Sequence, residues 1–418
     1  MSRWQATIPS STANRRLCMI YVHIPFCTSK CHFCDWVQAI PKSELLLKPN
    51  DDLRQRYIAA LISEIQVRGR ELTTAGHVPY VLYWGGGTAS SLTEAEAEAV
   101  MTALHESFDL SSVAESTIEC SPETVSLEKL RRFCQLGFNR FSSGVQSLNP
   151  ERLRMLGRSH SAEQAIKVVH WAREAGFADL NIDLMCGFPD ETLNEVEATV
   201  TAGLALPINH LSIYAFRPTP GVQLRRRMQD ESVDRYLRQE LLAFSRARRI
   251  ARVAGLPEYA VGYFGAPALN VVMPFQLRLE TIGFGSGAIS LLDGTYNGHN
   301  KGFFKQYIEN PLRWDFTSPA TDPAVVLSLL RSGLSIYDGL LRKEWLERTG
   351  VSLDNILTEP RLAPLLSYLR EAGKLIEDET GIRLPESTAP HVIVELAFRG
   401  SMAQQQARGG SAATGAGR

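Results

Sequence analysis

Cys27, Cys31 and Cys34 fall within Tyr21-Val-His-Ile-Pro-Phe-Cys-Thr-Ser-Lys-Cys-His-Phe-Cys-Asp-Trp36, a C-x3-C-x2-C spacing placed directly after a short apolar run. Three thiolates can hold three irons of a [4Fe–4S] cube, whose usual complement is four cysteines. The fourth iron is then open to a small molecule that chelates it through an amino group and a carboxylate on adjacent carbons. Two plainer readings compete. A structural zinc site would draw on His23 or His32, although such sites normally take four N/S ligands from separated pairs. Buried core thiols are the other, and they are the simplest reading of the scattered Cys18, Cys120, Cys134 and Cys186.

Other polar residues point to a bound small molecule. Gly85-Gly86-Gly87-Thr88 follows a β-branched and aromatic run, and glycines let backbone N–H and C=O groups approach a ligand closely. Glu119, Gln146, Arg158 and Asp183 sit in otherwise apolar surroundings. Buried charges need partners. A ligand with a carboxylate, an ammonium and ring hydroxyls would supply them, with Arg158 on the carboxylate and Glu119, Gln146 and Asp183 on the rest. Salt bridges among these residues are the structural alternative. Lys30 and His32 read as solvated spacers in the cysteine loop, whereas Phe33 can pack on the ligand. Tyr21 and His23 lie on the preceding strand and can point inward.

Those groups need a scaffold, and hydrophobic periodicity supplies one. Strands are expected at Met19–Ile24, Tyr80–Trp84, Ser116–Cys120, Arg140–Ser143, Asp179–Met185 and His210–Ala215. Between them run helices Leu53–Arg70, Thr93–Phe108, Ser126–Leu136, Ser161–Ala175 and Glu191–Leu206, with Thr93/Glu96 and Ser161/Gln164 as capping boxes. Alternating strand–helix units joined by right-handed crossovers predict an α/β fold, a partial (β/α)6 TIM-like barrel. Ligands bind such barrels at the C-terminal strand ends. The cysteine loop, the glycines, Glu119, Gln146 and Asp183 all fall there. From about Asp315 short helices precede a hairpin at Gly373–Leu384, a C-terminal winged-helix-like arrangement. The expected domains are residues 1–310, 311–400 and a disordered low-complexity tail, 401–418.

Bulk properties narrow the class. Charge is nearly balanced (formal −1), which argues against nucleic acid as partner, and no stretch is long and apolar enough for a membrane helix. Seven cysteines with three clustered suit a reducing compartment, so a cytoplasmic enzyme is expected.

The cysteine triad at this spacing resembles the radical S-adenosylmethionine (radical SAM) enzymes. The set Tyr21–Cys27, Gly85–Thr88, Glu119–Glu123, Ser143–Ser147, Gly157–His160, Asp183–Pro189 and the wing at 373–384 is similar to their coproporphyrinogen-dehydrogenase (HemN-like) branch. The resemblance implies cluster ligation by Cys27, Cys31 and Cys34. It also implies S-adenosylmethionine contacts from Tyr21, Phe33, Gly86, Gly87, Thr88, Glu119, Gln146, Arg158 and Asp183, with a second S-adenosylmethionine beside the first.

Two departures separate the members of that branch. Coproporphyrinogen dehydrogenases carry a further cysteine where this chain has Trp36. Haem chaperones carry a His-Asn-x-x-Tyr-Trp stretch before a glycine-rich turn, but 268–281 contains no histidine ahead of Gly283-Phe-Gly-Ser-Gly-Ala288. The expectation is therefore a class C radical SAM methyltransferase that adds one carbon to an sp2 carbon of a heteroaromatic natural-product precursor, such as a thiazole-containing peptide. A flavodoxin or ferredoxin would be its reductant. Tyr214, Tyr263 and Glu280 are its catalytic candidates, with Arg217 nearby. A haem chaperone, or a coproporphyrinogen dehydrogenase, is the alternative.

Overall fold

The computed structural model describes residues 15–34, 42–216, 222–226, 233–265, 279–299, 304–358 and 363–386. Trp36, Arg217, most of 268–281 and the 401–418 tail, on which expectations rest above, lie outside these residues.

Six parallel strands follow one another in chain order: β1 (Arg16–Ile24), β2 (His77–Gly86), β3 (Glu115–Cys120), β4 (Arg140–Gln146), β5 (Asp179–Cys186) and β6 (His210–Ala215). Neighbouring strands pair in register, for example Tyr21 with Tyr83 and Asp183 with Ser212. The longer helices between them are α1 (Asp52–Thr74), α2 (Glu94–Ser107), α3 (Leu127–Gln135), α4 (Ala162–Ala175) and α5 (Leu193–Leu204); the long α6 (Val233–Val253) follows β6. Strands covered by helices on one side and filled on the other are apolar almost throughout. Ile20, Val22, Leu82, Trp84, Ile118, Phe141 and Ile182 accordingly join Tyr57, Leu61, Val100, Leu130 and Val168 of the helices in one buried cluster. The architecture is the expected α/β partial barrel.

The helix starts show how local signals set these elements. The Thr93/Glu96 capping box is complete at α2. At α4 only half forms: Ser161 accepts from the Gln164 N–H, but the Gln164 amide donates instead to Pro122 O at 3.3 Å. A box that the sequence reading missed, Thr192/Glu195, opens α5.

Beyond β6 the sheet continues through β8 (Tyr263–Gly265) and β7 (Glu258–Ala260), both antiparallel. On the other flank β9 (Glu280–Phe284) runs parallel to β1, an unanticipated seventh parallel strand. β10 (Ile289–Leu292), β11 (Thr295–Gly298) and β12 (Phe316–Pro319) extend that flank antiparallel.

The C-terminal part packs helices Pro323–Leu334, Arg342–Thr349, Leu353–Leu357 and Ala363–Glu371 around Leu329, Leu330, Trp345, Leu366 and Ile382. Strands β13 (Leu340–Leu341), β14 (Ile376–Glu377) and β15 (Gly381–Arg383) form a small antiparallel sheet, whose β14–β15 hairpin is the expected wing. Leu291 and Tyr296 of β10 and β11 belong to the same apolar cluster, so the main sheet and the C-terminal part share a core across the expected boundary near 310.

Candidate functional site

The C-terminal ends of β1 to β6 open at one mouth, and the cysteine loop crosses it. Backbone bonds pin that loop at several points: the Cys27 N–H donates to Leu45 O (3.0 Å), the His32 N–H to Leu156 O (2.9 Å), and the Leu224 N–H to His32 O (2.9 Å). His32 is no solvated spacer. It is half-buried, with Nδ1 2.8 Å from Met155 O, and its ring lies against Gly157, where φ is +70° and a Cβ would come within 2.8 Å of it. Phe33 packs against the apolar cluster of Leu156, Phe188, Phe216, Val222 and Leu224.

None of the three cysteines of the loop is in a disulfide, and all are half-exposed. Arg158 Nη1 lies 3.2 Å from Cys31 Sγ, and Thr88 Oγ1 lies 3.6 Å from Cys27 Sγ. Among the described residues, no three His, Cys, Asp or Glu side chains converge as a single metal ion requires. A cube distributes its thiolates over separate irons, so a spread triad beside a guanidinium fits a cluster.

Gly85, Gly86 and Gly87 form the next wall. A Cβ on Gly87 would lie 2.7 Å from Phe26 O, and one on Gly86 (φ +113°) would lie 2.8 Å from the His23 ring. Only glycine lets β2 run this close to the first strand and its loop. The Gly86 N–H donates to Glu119 Oε2 at 3.3 Å, and the Tyr83 hydroxyl donates to Glu119 Oε1. Tyr83 stacks on Tyr21 with 5.8 Å between ring centroids, and the Tyr21 hydroxyl lies 3.1 Å from His23 Nδ1.

The charges of the mouth are poised for a cation. Burial pushes the Glu119 carboxyl up to about 7, and the Asp183 charge adds to this, against the Tyr83 and Gly86 hydrogen bonds and the Arg140 guanidinium. Asp183 is also raised, again chiefly by burial. Two neighbouring carboxyls in a dry site resist ionising together, and an ammonium or sulfonium between them would remove that penalty.

Gln146 and Arg158 each leave a polar atom without a partner among the described residues. Gln146 Oε1 and Arg158 Nε are buried without a hydrogen bond, while Arg158 Nη2 donates to Ser121 Oγ (2.8 Å) and Gly144 O (2.9 Å). Gln146 also has φ of +67°, an uncommon conformation for a residue with a side chain. Strain and an orphaned carboxamide oxygen on one residue point to a ligand.

Of the catalytic candidates, Tyr214 stands 39% exposed at the end of β6, its hydroxyl 3.3 Å from that of Tyr263 on β8, with the rings in T-shaped contact. Glu280 does not join them. It starts β9, level with Cys18 on β1, at the opposite end of the parallel strands. There it accepts from Arg16 Nη2 (2.5 Å), from the Asp293 N–H (3.0 Å) and, at 3.0 Å, from His77 Nε2, so it fastens strand ends. Arg217 lies outside the described residues. Tyr83, Arg140, Asn181 and His210 were missed. Tyr83, Asn181 and His210 each lie an even number of residues before a recognised position on the same strand, whereas the irregularity between Ser143 and Gln146 breaks that count for Arg140.

Residues 21–202 match the model of the radical SAM superfamily. The heme chaperone HemW of Lactococcus lactis is 30% identical over 286 residues, covering 66% of this chain and 69% of that protein. The chain belongs to the radical SAM superfamily, in the branch of HemW and HemN. The Bacillus subtilis heme chaperone HemW is 27% identical over 373 residues, 87% of this chain and 94% of its own length. Among solved structures, the Escherichia coli coproporphyrinogen III oxidase HemN superposes with a TM-score of 0.71 at 24% identity, covering 94% of this chain and 91% of that one.

These relatives correct the expected activity. The proteins matching this radical SAM chain along most of its length are haem chaperones and coproporphyrinogen oxidases, so the natural-product C-methyltransferase reading and its peptide substrate are overturned. Membership implies a [4Fe–4S] cluster and S-adenosylmethionine, and the mouth fits both. When bound, the cluster supplies one electron to the sulfonium. No helix among the described residues is long and apolar enough to cross a membrane.

Proposed function

We propose that this chain is a haem-handling radical SAM protein of the HemW type. It would bind a [4Fe–4S] cluster through Cys27, Cys31 and Cys34, with S-adenosylmethionine on the open iron, and take haem at the same mouth. What carries this reading is the correspondence with the Bacillus subtilis heme chaperone over 94% of that protein's length, C-terminal part included. Trp36, where coproporphyrinogen dehydrogenases have a further cysteine, weighs against the oxidase alternative.

In this scheme Arg158 faces the methionine carboxylate, Glu119 and Gln146 take the ammonium, and Asp183 takes the ribose hydroxyls. Tyr21, Gly86, Gly87 and Thr88 complete the ligand's wall. Tyr214, exposed at the end of β6, and the half-buried Tyr263 beside it form an aromatic pair suited to lie against a flat macrocycle. A second S-adenosylmethionine in the mouth, and a one-electron donor of the flavodoxin or ferredoxin kind, belong to the same proposal. The chain lacks the histidine of the His-Asn-x-x-Tyr-Trp stretch, so an axial histidine would have to come from outside 268–281.

The test is titration of haem into anaerobically reconstituted protein. A saturable shift of the Soret band at one haem per chain, weakened in Tyr214→Ala, is expected. A spectrum that stays that of free haem at every ratio overturns the reading.

A further inference from the structure

Beneath the mouth a line of buried side chains leads to Asp183. Asn181, two residues earlier on β5, donates from Nδ2 to Asp183 Oδ1 (2.8 Å) and to Ser142 Oγ (2.9 Å). A carboxylate can only accept, which fixes the amide orientation and turns Asn181 Oδ1 towards His210. His210 Nδ1 lies 2.6 Å from that oxygen, and His210 Nε2 lies 2.6 Å from the Tyr259 hydroxyl. Ser212 Oγ also donates to Asn181 Oδ1, at 3.1 Å.

Arg140 Nη2, a donor, also approaches His210 Nδ1 at 3.4 Å. The 2.6 Å contact with Asn181 Oδ1, which can only accept, outweighs it and places the His210 proton at Nδ1, so that Nε2 accepts from Tyr259. The ring is 3% exposed, and burial together with the Arg140 guanidinium 3.4 Å away holds it neutral. One tautomer, one amide orientation and one carboxylate rotamer are thus mutually fixed. Tyr259 is itself held where β7 meets the C-terminal part, its carbonyl accepting from the Tyr337 N–H at 3.3 Å.

We propose that His210 and Asn181 are positioning residues: a Tyr259–His210–Asn181 chain sets the rotamer of Asp183 and so the affinity of the mouth for the adenosyl ligand. This rests on the reading of Asp183 as a ribose-binding carboxylate. Such chains orient a binding group through neighbours that never touch the ligand, and their members act as a unit.

The experiment is calorimetric binding of S-adenosylhomocysteine to the reconstituted full-length protein, which needs no turnover. His210→Phe is expected to weaken binding about tenfold, with His210→Gln recovering most of it and Tyr259→Phe, which leaves the imidazole in place, giving a smaller loss. On an Asp183→Asn background, which itself binds more weakly than wild type, His210→Phe should add almost nothing. A full additional loss on that background, or wild-type affinity in both His210→Phe and Tyr259→Phe, overturns the chain of control. If Asp183→Asn alone binds as wild type, the ribose reading of Asp183 fails, and the proposal with it.

Discussion

At the residue scale the mouth carries charge that the unliganded fold does not favour. Glu119, pushed up to about 7 by burial and by Asp183, holds its proton more tightly folded than unfolded. Its contribution to stability is therefore fully present below the ordinary carboxyl value near 4.5 and lost as pH rises through about 7. Glu119→Gln should accordingly raise the melting temperature at pH 8, by about 2 kcal/mol of stability, with the gain closing towards pH 5. The same variant should bind S-adenosylhomocysteine more weakly. Equal melting temperatures at pH 8 would mean that the carboxyl is not strained by its surroundings. Gln146 makes the parallel case in the backbone. At φ of +67°, glycine is the less strained occupant, so Gln146→Gly should gain about 1 kcal/mol in urea unfolding while losing ligand affinity. A variant that loses stability would show the side chain to be structural.

At the scale of elements, the two ends of the parallel strands have separate duties. The upper ends hold the cysteine loop, Glu119, Gln146 and Asp183; the lower ends are fastened by Glu280 with Arg16 and His77. Hydrogen bonds from these two partners, against some burial, hold the Glu280 carboxyl down at about 2. The stability this gives is present above about 4.5 and lost as pH falls through about 2. Glu280→Gln should cost about 2–3 kcal/mol at pH 7, a difference that shrinks as pH falls below about 4.5, measured by chemical denaturation. A loss of ligand binding with unchanged stability would return Glu280 to the chemistry. The strands and helices of the barrel were legible because each carries its own period and cap, and the upper-end residues were legible because fold geometry sends loops there. Glu280 was misplaced because its strand, β9, pairs with β1 from more than 250 positions away in the chain, and no local pattern reveals which end of a strand faces the mouth. His32 was misread for the same reason: its partner, Met155 O, is brought in by the short helix Pro150–Met155 that follows β4.

For the whole molecule, the connection between the barrel and the C-terminal part combines shared apolar contacts with a buried ion group. Its activity class was the least legible feature, because cysteine spacing and strand order are shared across the branch and the distinguishing stretches are short. The seam itself is explicit. Glu258 on β7 is fully buried and accepts from Arg248 Nε (2.7 Å), Arg252 Nε (2.7 Å) and the Gly262 N–H (2.8 Å). Arg248 Nη2 reaches the Tyr337 hydroxyl at 2.7 Å, and the Val261 N–H donates to Ser335 O at 2.8 Å. Removing one member of a buried ion group leaves the others uncompensated, which costs about 3–5 kcal/mol. Glu258→Ala is therefore expected to release the C-terminal part before the barrel unfolds, giving an early step in urea that intrinsic tryptophan emission reports through the buried Trp345. Cluster absorbance, which belongs to the barrel, should persist through that step. A single transition, with fluorescence and cluster absorbance lost together at the wild-type midpoint, would show that the shared apolar contacts of Leu291 and Tyr296 hold the two parts as one cooperative unit without Glu258.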